Sequence, residues 1–509
     1  MIKLLRKYHK WIGLISILFV LHFAISGILL NHRKAISGID VSRNLLPKSY
    51  HFENWNNGAV IGTLKINADS ILMYGNSGIW LTDSLCSKVE PYHTGISKGI
   101  DNRSFRAVKK LGDNAVFGVS TYELYRLDIT TNSWENQTSK LDVEGERLSN
   151  LALKGDTLFV VSRSHVFRSV PPYDTFEKIQ LLPPSDYSPK VSLFKMIWIL
   201  HSGEAYGLFG RLLVDALGLI IIIITLLGLA LTLFRIPIRK RIKKKRDAER
   251  LKDAWKFSLK WHNKLGFGLF YLLLFVVVTG TFLRPPLLIP IVRAKVNPIP
   301  FSTLDSDNPW NEKLRVLRYN EHTDSWLLYS SDGFYQFPDF NTTPKPLANK
   351  PPISVMGVTV LEPQSEEVWL VGSFSGLYLW NKKTGASYDA FTKELYVPEK
   401  TFGPPVLSDP ISGYSDDFSM GEVAFNYDKG AVGLSQQSFV EMPAIVKAAP
   451  MSLWHFALEL HVGRMYSPFL GALSPFFVFF SGLLFFFILF SGYKVYKKRH
   501  KKRKKKRVR

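Results

Sequence analysis

Tyr8-His9-Lys10-Trp11-Ile12-Gly13 opens the first apolar run of this chain, which continues over Leu14–Leu30 and carries Ser26-Gly27 near its end. The same layout returns at Trp261-His262-Asn263-Lys264-Leu265-Gly266, and there the following run carries Thr279-Gly280. In both copies the histidine and the later glycine are 18 positions apart. A repeat of this kind predicts two similar halves that face each other.

Four apolar runs are long enough to cross a membrane: Trp11–Leu30, Leu212–Phe234, Phe267–Pro290 and Tyr466–Phe490. About 20 apolar residues suffice to cross a hydrocarbon core of ~30 Å. We therefore predict an α-helical membrane protein with four transmembrane helices in two repeated halves, joined by two large loops. In a chain of 509 residues these loops form most of the polypeptide.

The net charge of +23 is concentrated at one predicted membrane face. Segments 1–10, 235–264 and 494–509 hold 29 of the 65 Lys and Arg residues. Four crossings put all three segments on the same side, and the positive-inside rule makes that side the cytoplasm. We expect a multi-pass protein of a bacterial inner membrane, with both termini cytoplasmic and two large periplasmic loops. Next to a membrane span, the basic tail indicates topology and contact with anionic lipid rather than nucleic acid.

The predicted organisation has eight segments. They are the first helix with the N-terminus (1–31), a β-rich loop (32–197), the second helix (198–235), a basic loop (236–261), the third helix (262–290), a second β-rich loop (291–451), the fourth helix (452–493) and the basic tail (494–509).

Both loops contain a weak repeat of a turn followed by an aromatic strand. The copies are Tyr74–Trp80, Gly118–Tyr125, Val161–Phe167, Tyr329–Tyr335 and Val371–Tyr378, and Gly433–Phe439 resembles a degenerate further copy. Within a loop, the aromatic ends are 45, 42 and 43 residues apart, a period typical of β-propeller blades. We predict an all-β ectodomain of about three blades per loop that close one propeller jointly.

The alternative is that each loop forms its own β-sandwich. Trp80, Trp326, Trp369 and Trp380 are expected in blade cores rather than on a binding face.

Several kinds of site are excluded. The single cysteine, Cys86, rules out an internal disulfide and a multi-cysteine iron–sulfur or zinc site. The chain contains no Cys-x-x-Cys-His for covalent haem, no Gly-x-Gly-x-x-Gly and no P-loop. If electrons move through this protein, their donor lies elsewhere.

Histidines cluster near the predicted spans. Leu200-His201-Ser202-Gly203 precedes the second span, and Leu460-His461-Val462-Gly463 precedes the fourth. We expect His9 and His262 to begin helices at the cytoplasmic face, and His201 and His461 to begin helices at the outer face. Each pair would then clamp the iron of one haem b. Haem with two neutral imidazole ligands has no open coordination position and suits electron transfer.

Other residues compete for these roles or support them. His22 lies on the first helix in the outer half, and His455 lies six residues before His461, so either is a rival ligand there. His32 is a further candidate near the outer edge. Arg211, Arg464 and Arg33 are candidates to pair with haem propionates, since charge-assisted hydrogen bonds are the strong ones.

The basic His-Lys-Trp-x-Gly start, the Ser-Gly pair and the Leu-His-x-Gly stretches resemble the PepSY-associated transmembrane family. That family includes iron-regulated membrane proteins and bacterial ferric-siderophore reductases. The resemblance implies haem b held by helix histidines, here His9, His262, His201 and His461, and electron delivery to a periplasmic acceptor such as chelated Fe(III). Such family members usually carry small PepSY domains between the helices, whereas these loops resemble propeller blades. This departure leaves open an acceptor or partner other than a siderophore.

The sequence leads to three functional hypotheses. The first is transmembrane electron transfer through two haem b groups, with a quinol or a cytoplasmic flavoprotein as donor and a ferric chelate or another periplasmic acceptor. This would make the protein an oxidoreductase. The second is a haemless sensor or scaffold whose ectodomain binds a partner. The third, a transporter with an internal repeat, is weak because the spans contain few carboxylates.

Overall fold

The computed structural model describes residues 2–113, 115–143, 145–398, 409–435 and 437–507, with side chains as far as residue 498. The predicted basic tail therefore extends two residues beyond the described chain. The chain divides into two compact units. The helical unit comprises Met1–Ile36, Pro189–Asp305 and Trp454–Arg509, and the β unit comprises Ser37–Ser188 and Ser306–Leu453.

The α-helices are labelled in chain order. They are α1 Ile2–Asn31, α2 Arg33–Ile36, α3 Ile100–Arg103, α4 Leu193–Ser202, α5 Gly207–Leu233, α6 Arg235–Lys243, α7 Glu249–Gly268, α8 Phe270–Phe282, α9 Leu288–Ile291, α10 Ala444–Lys447, α11 Leu453–His461, α12 Ser467–Leu470 and α13 Phe477–Arg507.

The β-strands are labelled in the same way. They are β1 Asp40–Val41, β2 Gly62–Asn67, β3 Ser70–Gly75, β4 Gly78–Thr82, β5 Val89–Pro91, β6 Ala107–Leu111, β7 Ala115–Val119, β8 Leu124–Asp128, β9 Ser133–Asn136, β10 Leu148–Lys154, β11 Thr157–Ser162, β12 Val166–Ser169, β13 Glu177–Ile179, β14 Val191–Ser192, β15 Lys295–Val296, β16 Leu314–Asn320, β17 Ser325–Ser330, β18 Gly333–Phe337, β19 Lys345–Pro346, β20 Val358–Pro363, β21 Val368–Ser373, β22 Gly376–Asn381, β23 Ser387–Asp389, β24 Ile411–Ser415, β25 Val423–Asn426, β26 Gly430–Gly433 and β27 Met451–Ser452.

Within the described residues, three helical segments are long and apolar enough to cross a membrane: Ile2–Asn31, Glu204–Lys243 and Arg464–Lys498. A fourth candidate is the pair α7 and α8, which meet at a bend of 66°. Gly266 and Gly268 lie just before the bend, and glycine lowers the cost of interrupting a helix. Three to four membrane-spanning helices therefore agree with the number expected from the sequence.

The third span differs from the expectation. The sequence predicted apolar helix as far as Pro290, but α8 ends at Phe282. Pro285 and Pro286 follow closely, and proline supplies no amide hydrogen to continue the helical ladder. The expectation that His9 and His262 begin helices is also wrong, because α1 starts at Ile2 and α7 starts at Glu249.

The expectation that His201 and His461 begin helices is wrong as well. His201 lies in the last turn of the ten-residue α4, and His461 is the last residue of the nine-residue α11. Gly203 (φ 80°) and Gly463 (φ 81°) follow in the left-handed conformation that glycine adopts without strain. Each turn leads towards a long apolar helix.

Small residues allow the helices of this unit to approach closely. Helix α1 contacts α5 and α13, α5 contacts α7, and α13 contacts α7 and α8. A Cβ atom on Gly218 of α5 would lie 3.1 Å from Ile28 Cγ1, and one on Gly482 of α13 would lie 2.2 Å from Thr281 Oγ1. Small residues at helix interfaces are typical of membrane bundles, where packing rather than hydrophobic burial drives association.

Within the described residues, the β unit contains a two-stranded sheet of β1 and β27 and six larger antiparallel sheets, three from each loop. Five have four strands in sequential order: β2–β5, β6–β9, β10–β13, β16–β19 and β20–β23. The sixth has three strands, β24–β26, within the described residues. The first strands contact one another in the order β2, β6, β10, β16, β20 and β24, and β24 also contacts β2.

Each predicted repeat copy corresponds to the hairpin between the second and third strands of a sheet. Tyr74–Trp80, for example, joins β3 to β4, and Tyr329–Tyr335 joins β17 to β18. The further copy predicted at Gly433–Phe439 is misplaced. The matching hairpin of the sixth sheet pairs Val423 with Gly433, so that Gly433 ends β26 instead of starting a new copy.

Aromatic side chains fill the spaces between neighbouring sheets. Trp80, Trp326, Trp369 and Trp380 are all buried, as expected for core residues. Phe159 of β11 packs against Trp326 of β17 with ring centroids 4.7 Å apart, and both belong to one cluster of buried residues. This cluster joins a sheet of the first loop to a sheet of the second. Burial of such large side chains is a main source of stability in the unit.

Candidate functional site

Two pairs of histidines lie inside the helical unit, and each pair joins two different helices. In the first pair, His9 of α1 and His262 of α7 have ring centroids 6.1 Å apart and planes inclined by 71°. In the second pair, His201 of α4 and His461 of α11 have centroids 6.2 Å apart and planes inclined by 51°. The structure thus brings together the same two pairs that the internal repeat suggested.

The pairs are separated along α1. His9 belongs to the first pair, while Ser26 of the same helix contacts His461 of the second pair. Seventeen residues of α-helix correspond to a rise of about 25 Å. The two pairs therefore lie near opposite ends of one membrane-spanning helix.

All four rings use the same nitrogen to contact the surrounding helices. Nδ1 of His9 lies 3.1 Å from Ile488 O, that of His201 lies 3.1 Å from Val276 O, and that of His262 lies 2.9 Å from Ile224 O. A carbonyl oxygen can only accept, so these Nδ1 atoms carry the proton. The Nε2 atom of each ring then keeps the lone pair that a metal requires.

Hydroxyl groups support the same proton arrangement at three of the rings. Nδ1 lies 2.9 Å from the Ser26 hydroxyl in His461, 3.0 Å from that of Ser491 in His9 and 3.2 Å from that of Thr279 in His201. Each hydroxyl donates its own hydrogen to a carbonyl one turn back along its helix. It can therefore accept the hydrogen bond from the imidazole. Such outer partners fix the orientation of a ligating histidine and raise its basicity.

A glycine lies against each of the four rings. A Cβ atom on Gly280 would lie 2.6 Å from His201 Cε1, and one on Gly27 would lie 3.4 Å from His461 Cε1. A Cβ atom on Gly228 would lie 3.1 Å from His262 Cε1, and one on Gly492 would lie 3.1 Å from His9 Cε1. Any larger residue at Gly280 would displace the His201 ring. The glycines thus allow each ring to lie directly against a neighbouring helix.

Sequence reasoning recognised only half of this arrangement. Ser26-Gly27 and Thr279-Gly280 belong to the repeat from which the two halves were inferred, but Ser491-Gly492 and Gly228 were missed. The recurrence of a Ser/Thr-Gly dipeptide near the end of the fourth apolar run was the available signal. Gly228 has no such partner in the sequence, so only its position against His262 reveals its role.

His22 lies near the second pair but is held differently. Its Nε2 atom donates a hydrogen bond of 2.9 Å to Leu460 O, the carbonyl next to His461. The proton is therefore on the opposite nitrogen from that of the four paired rings. Its Nδ1 atom is buried without a hydrogen-bond partner among the described residues. His22 does not join either pair, and it contacts the turn that carries His461.

The remaining candidates lie outside both pairs. His455 Nε2 is 3.4 Å from Glu459 Oε1 on the same helix, and His32 Nε2 is 2.8 Å from Asp215 Oδ2. Arg464 Nε donates to Glu459 Oε2 at 2.8 Å. These three side chains are engaged with carboxylates rather than with the paired rings.

The two other arginine candidates have different surroundings. Arg33 lies over the Trp454 ring, with Cζ 4.0 Å from the centroid. Arg211 Nε is buried and has no hydrogen-bond partner within the described part of the chain. Of the candidates for a propionate, Arg211 is therefore the one whose donor is still available.

The site contains imidazole pairs and no larger metal-binding group. Among the described residues, no cluster of three or more His, Cys, Asp or Glu side chains could hold a metal ion. Each pair offers two imidazole rings with centroids about 6 Å apart, which suits a metal whose remaining ligands come from a bound macrocycle.

Comparison with known proteins supports the resemblance found in the sequence. The family model of the PepSY-associated TM region matches residues 3–235, somewhat less than half of the chain. This match confirms the resemblance to the PepSY-associated transmembrane family. No curated protein matches the chain.

Similar solved structures include proteins of Bacteroides thetaiotaomicron and of Porphyromonas gingivalis. The extracellular domain of a protein described as a one component system of Bacteroides thetaiotaomicron is 10% identical, with a TM-score of 0.35, over 75% of this chain and 33% of that one. A protein of unknown function from the same organism is 10% identical, with a TM-score of 0.34, over 78% of this chain and 74% of that one. PorZ, a surface component of the type-IX secretion system of Porphyromonas gingivalis, is 10% identical, with a TM-score of 0.29, over 74% of this chain and 31% of that one. This chain spans only about a third of the length of the first of these proteins. None of these likenesses carries an argument about activity.

Proposed function

We propose that this membrane protein, which carries a PepSY-associated TM region over residues 3–235, transfers electrons across the membrane through two haem b groups. His9 and His262 would hold one group, and His201 and His461 the other. The observation that carries the proposal is the recurrence of the same histidine geometry at two depths of one helical unit.

The spacing of the rings fits this group. A metal–imidazole bond of about 2 Å on each side, added to the half-width of each ring, places the two centroids roughly 6 Å apart. The measured separations are 6.1 Å and 6.2 Å. In all four rings Nδ1 is the hydrogen-bond donor, so Nε2 is the nitrogen left for the metal.

Haem b with two imidazole ligands supplies a one-electron carrier with no open coordination position. The chain itself would fix the rings. Hydrogen bonds to Nδ1 set the tautomer, the glycines set the distance between ring and helix, and the apolar helices exclude water. Arg211, with its buried Nε, is the residue that we expect to pair with a propionate.

The charge distribution indicates which membrane face is cytoplasmic, and we propose the direction of transfer from that orientation. We propose that the three basic segments lie in the cytoplasm and that the β unit lies in the periplasm of a bacterial cell with an outer membrane. A quinol or a cytoplasmic flavoprotein would donate electrons, and an acceptor near the β unit would receive them. A ferric chelate is the acceptor implied by the family resemblance, because Fe(II) is held less tightly than Fe(III) by hard oxygen ligands.

We further propose that the six sheets of the β unit form a six-bladed propeller. The cyclic order of contacts between their first strands supports this arrangement. In such a ring, most strand edges are protected from pairing with other chains.

The experiment is a dithionite-reduced minus air-oxidised visible spectrum of the purified full chain in detergent, with haem quantified per chain. We expect a sharp b-type spectrum and about two haems per chain. A variant with all four paired histidines replaced by alanine serves as the comparison and should bind none. If the wild-type protein binds no haem after expression with ample haem supply, the redox proposal is wrong. The remaining candidate would then be the haemless sensor or scaffold.

A further inference from the structure

Two arginines of the β unit lie side by side at one end of the β10–β13 sheet. Arg147 immediately precedes β10, and Arg163 immediately follows β11. These strands are antiparallel, with Leu148 opposite Ser162, so the two arginines lie at the same end. Arg163 N also donates to Arg147 O at 2.9 Å.

A third arginine comes from the neighbouring sheet. Leu314 N, at the start of β16, donates to Arg163 O at 2.8 Å. The next residue, Arg315, lies at an irregularity in the pairing of β16 with β17. Bulges of this kind redirect a side chain and are frequent next to functional sites. Arg315 Nη1 donates to the carbonyls of Glu312 and Leu314 at 3.0 Å and 2.8 Å.

A fourth arginine, Arg106, immediately precedes β6, whose sheet lies on the other side of β10. We name these four residues the arginine cluster: Arg106, Arg147, Arg163 and Arg315. The arginine cluster thus comes from three consecutive sheets. The other three sheets have Ile61, Gly357 and Pro410 immediately before their first strands. The repeat alone does not require arginine at these positions.

The cluster places positive charge where the side chain of Arg163 is partly buried. Arg163 Nε is buried and has no hydrogen-bond partner among the described residues. Burial and, to a smaller extent, the guanidinium of Arg315 lower the pKa of Arg163 to about 9, although the Glu312 carboxylate opposes this shift. Arg147 and Arg106 also lower this pKa. Arg315 lies near two carboxylates, Glu312 and Asp332, which oppose the lowering of its pKa by burial. The buried Nε of Arg163 is the donor that a bound anion would engage.

Lys313, which is near the cluster in sequence, adds little positive charge to it because its own charge is paired. Its ammonium forms an ion pair of 3.1 Å with Asp332. Glu146, which is adjacent to Arg147 in sequence, lies 2.7 Å from His165 Nδ1. Glu146 thus has an imidazole partner of its own, whereas Asp332 is shared between Lys313 and Arg315.

We propose that the arginine cluster is an oxyanion-binding site for a small polyvalent ligand that bears carboxylate or phosphate groups. Guanidinium groups match the planar geometry of both oxyanions and bind them through paired hydrogen bonds. The site goes beyond the proposed electron transfer and does not rest on it. If both hold, the acceptor or regulator at the β unit is an anion.

The test is isothermal titration of the full chain in detergent with citrate and with inorganic phosphate, and with glucose as a neutral probe of similar size. We expect at least one of the two anions to bind, and glucose not to bind. Tighter binding of citrate would identify a polycarboxylate ligand, and tighter binding of phosphate would identify a phosphate ligand. In R163Q/R315Q, binding should weaken by at least about 10-fold for each arginine removed.

The matched control is R168Q. Arg168 is an exposed arginine of the same unit, and its Nη2 is 2.6 Å from Glu177 Oε2. This variant should bind the anion as the wild-type protein does. The proposal is overturned if neither anion binds the wild-type protein, or if R168Q weakens binding as much as R163Q/R315Q does.

Thermal unfolding separates a binding role from a structural one. R163Q/R315Q removes repulsion between like charges but also removes the two hydrogen bonds from Arg315 Nη1 to backbone carbonyls, so these effects on its ligand-free Tm oppose each other. Citrate or phosphate should raise the Tm only of proteins with an intact cluster. A lower ligand-free Tm together with unchanged anion binding would indicate a purely structural cluster and overturn the proposal. Because the haem spectrum is recorded on the same samples, failure of this site and failure of the electron-transfer proposal are distinguishable.

Discussion

The two histidine pairs have nearly the same ring separation, but different local structures position them. His9 and His262 lie within long helices, of which they are the eighth and fourteenth residues. His201 and His461 lie at the ends of α4 and α11, which have only ten and nine residues. Isolated helices of that length are marginal in water, so tertiary contacts must hold the second pair in place. One chemical arrangement is thus reached by two structural routes.

The hydrogen bonds of the pairs differ as well. Both rings of the second pair contact a hydroxyl, from Thr279 and Ser26. In the first pair His9 contacts the Ser491 hydroxyl, whereas His262 contacts the Ile224 carbonyl. The second pair therefore depends more on side chains, and the first depends more on backbone geometry. The predictions below test this difference.

The largest effect is expected from removal of one pair at a time. H9A/H262A should lose one haem and retain the other, and H201A/H461A should do the same for the other site. Each double variant removes the two histidines that would hold one group and leaves the other pair intact. Haem per chain and the reduced-minus-oxidised spectrum measure the result.

H22A/H455A is the matched control for these variants. Its two histidines lie near the second pair, but their Nε2 atoms face Leu460 O and Glu459 Oε1. We expect it to keep both haems. If it loses a haem while H201A/H461A keeps both, the second pair is assigned to the wrong residues.

A smaller but selective effect is expected from G280A. The added methyl carbon would lie 2.6 Å from His201 Cε1, which is shorter than any normal contact, so the ring must move. We expect partial or complete loss of haem from the second site, measured as haem per chain, with the first site unaffected.

G13A controls for the loss of a helical glycine in the same unit, since a Cβ atom there meets no other atom within 4 Å. G27A is an intermediate case, because its Cβ would lie at an ordinary 3.4 Å from His461 Cε1. Equal haem loss in G13A and G280A would refute the steric explanation.

The smallest effect is expected from the hydroxyl partners. S26A removes an acceptor from His461 Nδ1 and should make this imidazole a less basic ligand, which raises the reduction potential of that haem. The shift should not exceed about 60 mV, since one hydrogen bond contributes about 0.5–1.5 kcal/mol. In S491A the shift should be smaller, because His9 Nδ1 also lies 3.1 Å from Ile488 O.

Redox titration of each variant measures these shifts. T225A is the control, since the Thr225 hydroxyl donates to Ile221 O of its own helix at 2.7 Å. A larger shift in T225A than in S26A would contradict the proposed role of the hydroxyl at His461.

Much of the architecture could be read from local patterns. The apolar runs give the number of candidate spans, because the thickness of a membrane sets their length. The spacing of the aromatic hairpins gives the three sheets of each loop. The copy at Gly433–Phe439 was misplaced because the hairpin it should match lies earlier, between β25 and β26, and carries no aromatic residue at its end.

The helix boundaries around the site could not be read in the same way. A hydropathy run does not distinguish a straight span from the bent pair α7 and α8. It also does not show that His201 and His461 end short helices, since glycine turns at 203 and 463 separate these from the spans. The apolar character of the sequence continues across these glycine turns, so hydropathy alone does not reveal them.

By itself, the sequence determined a membrane protein with repeated histidine-bearing helices and two loops of repeated β-strands. Only the tertiary structure decided which nitrogen of each ring is held, which glycine lies against it, and that the arginines of three sheets meet at one end. The reason is distance along the chain. Ser26 and His461 are separated by 435 residues and Gly492 and His9 by more than 480, so packing alone brings them into contact.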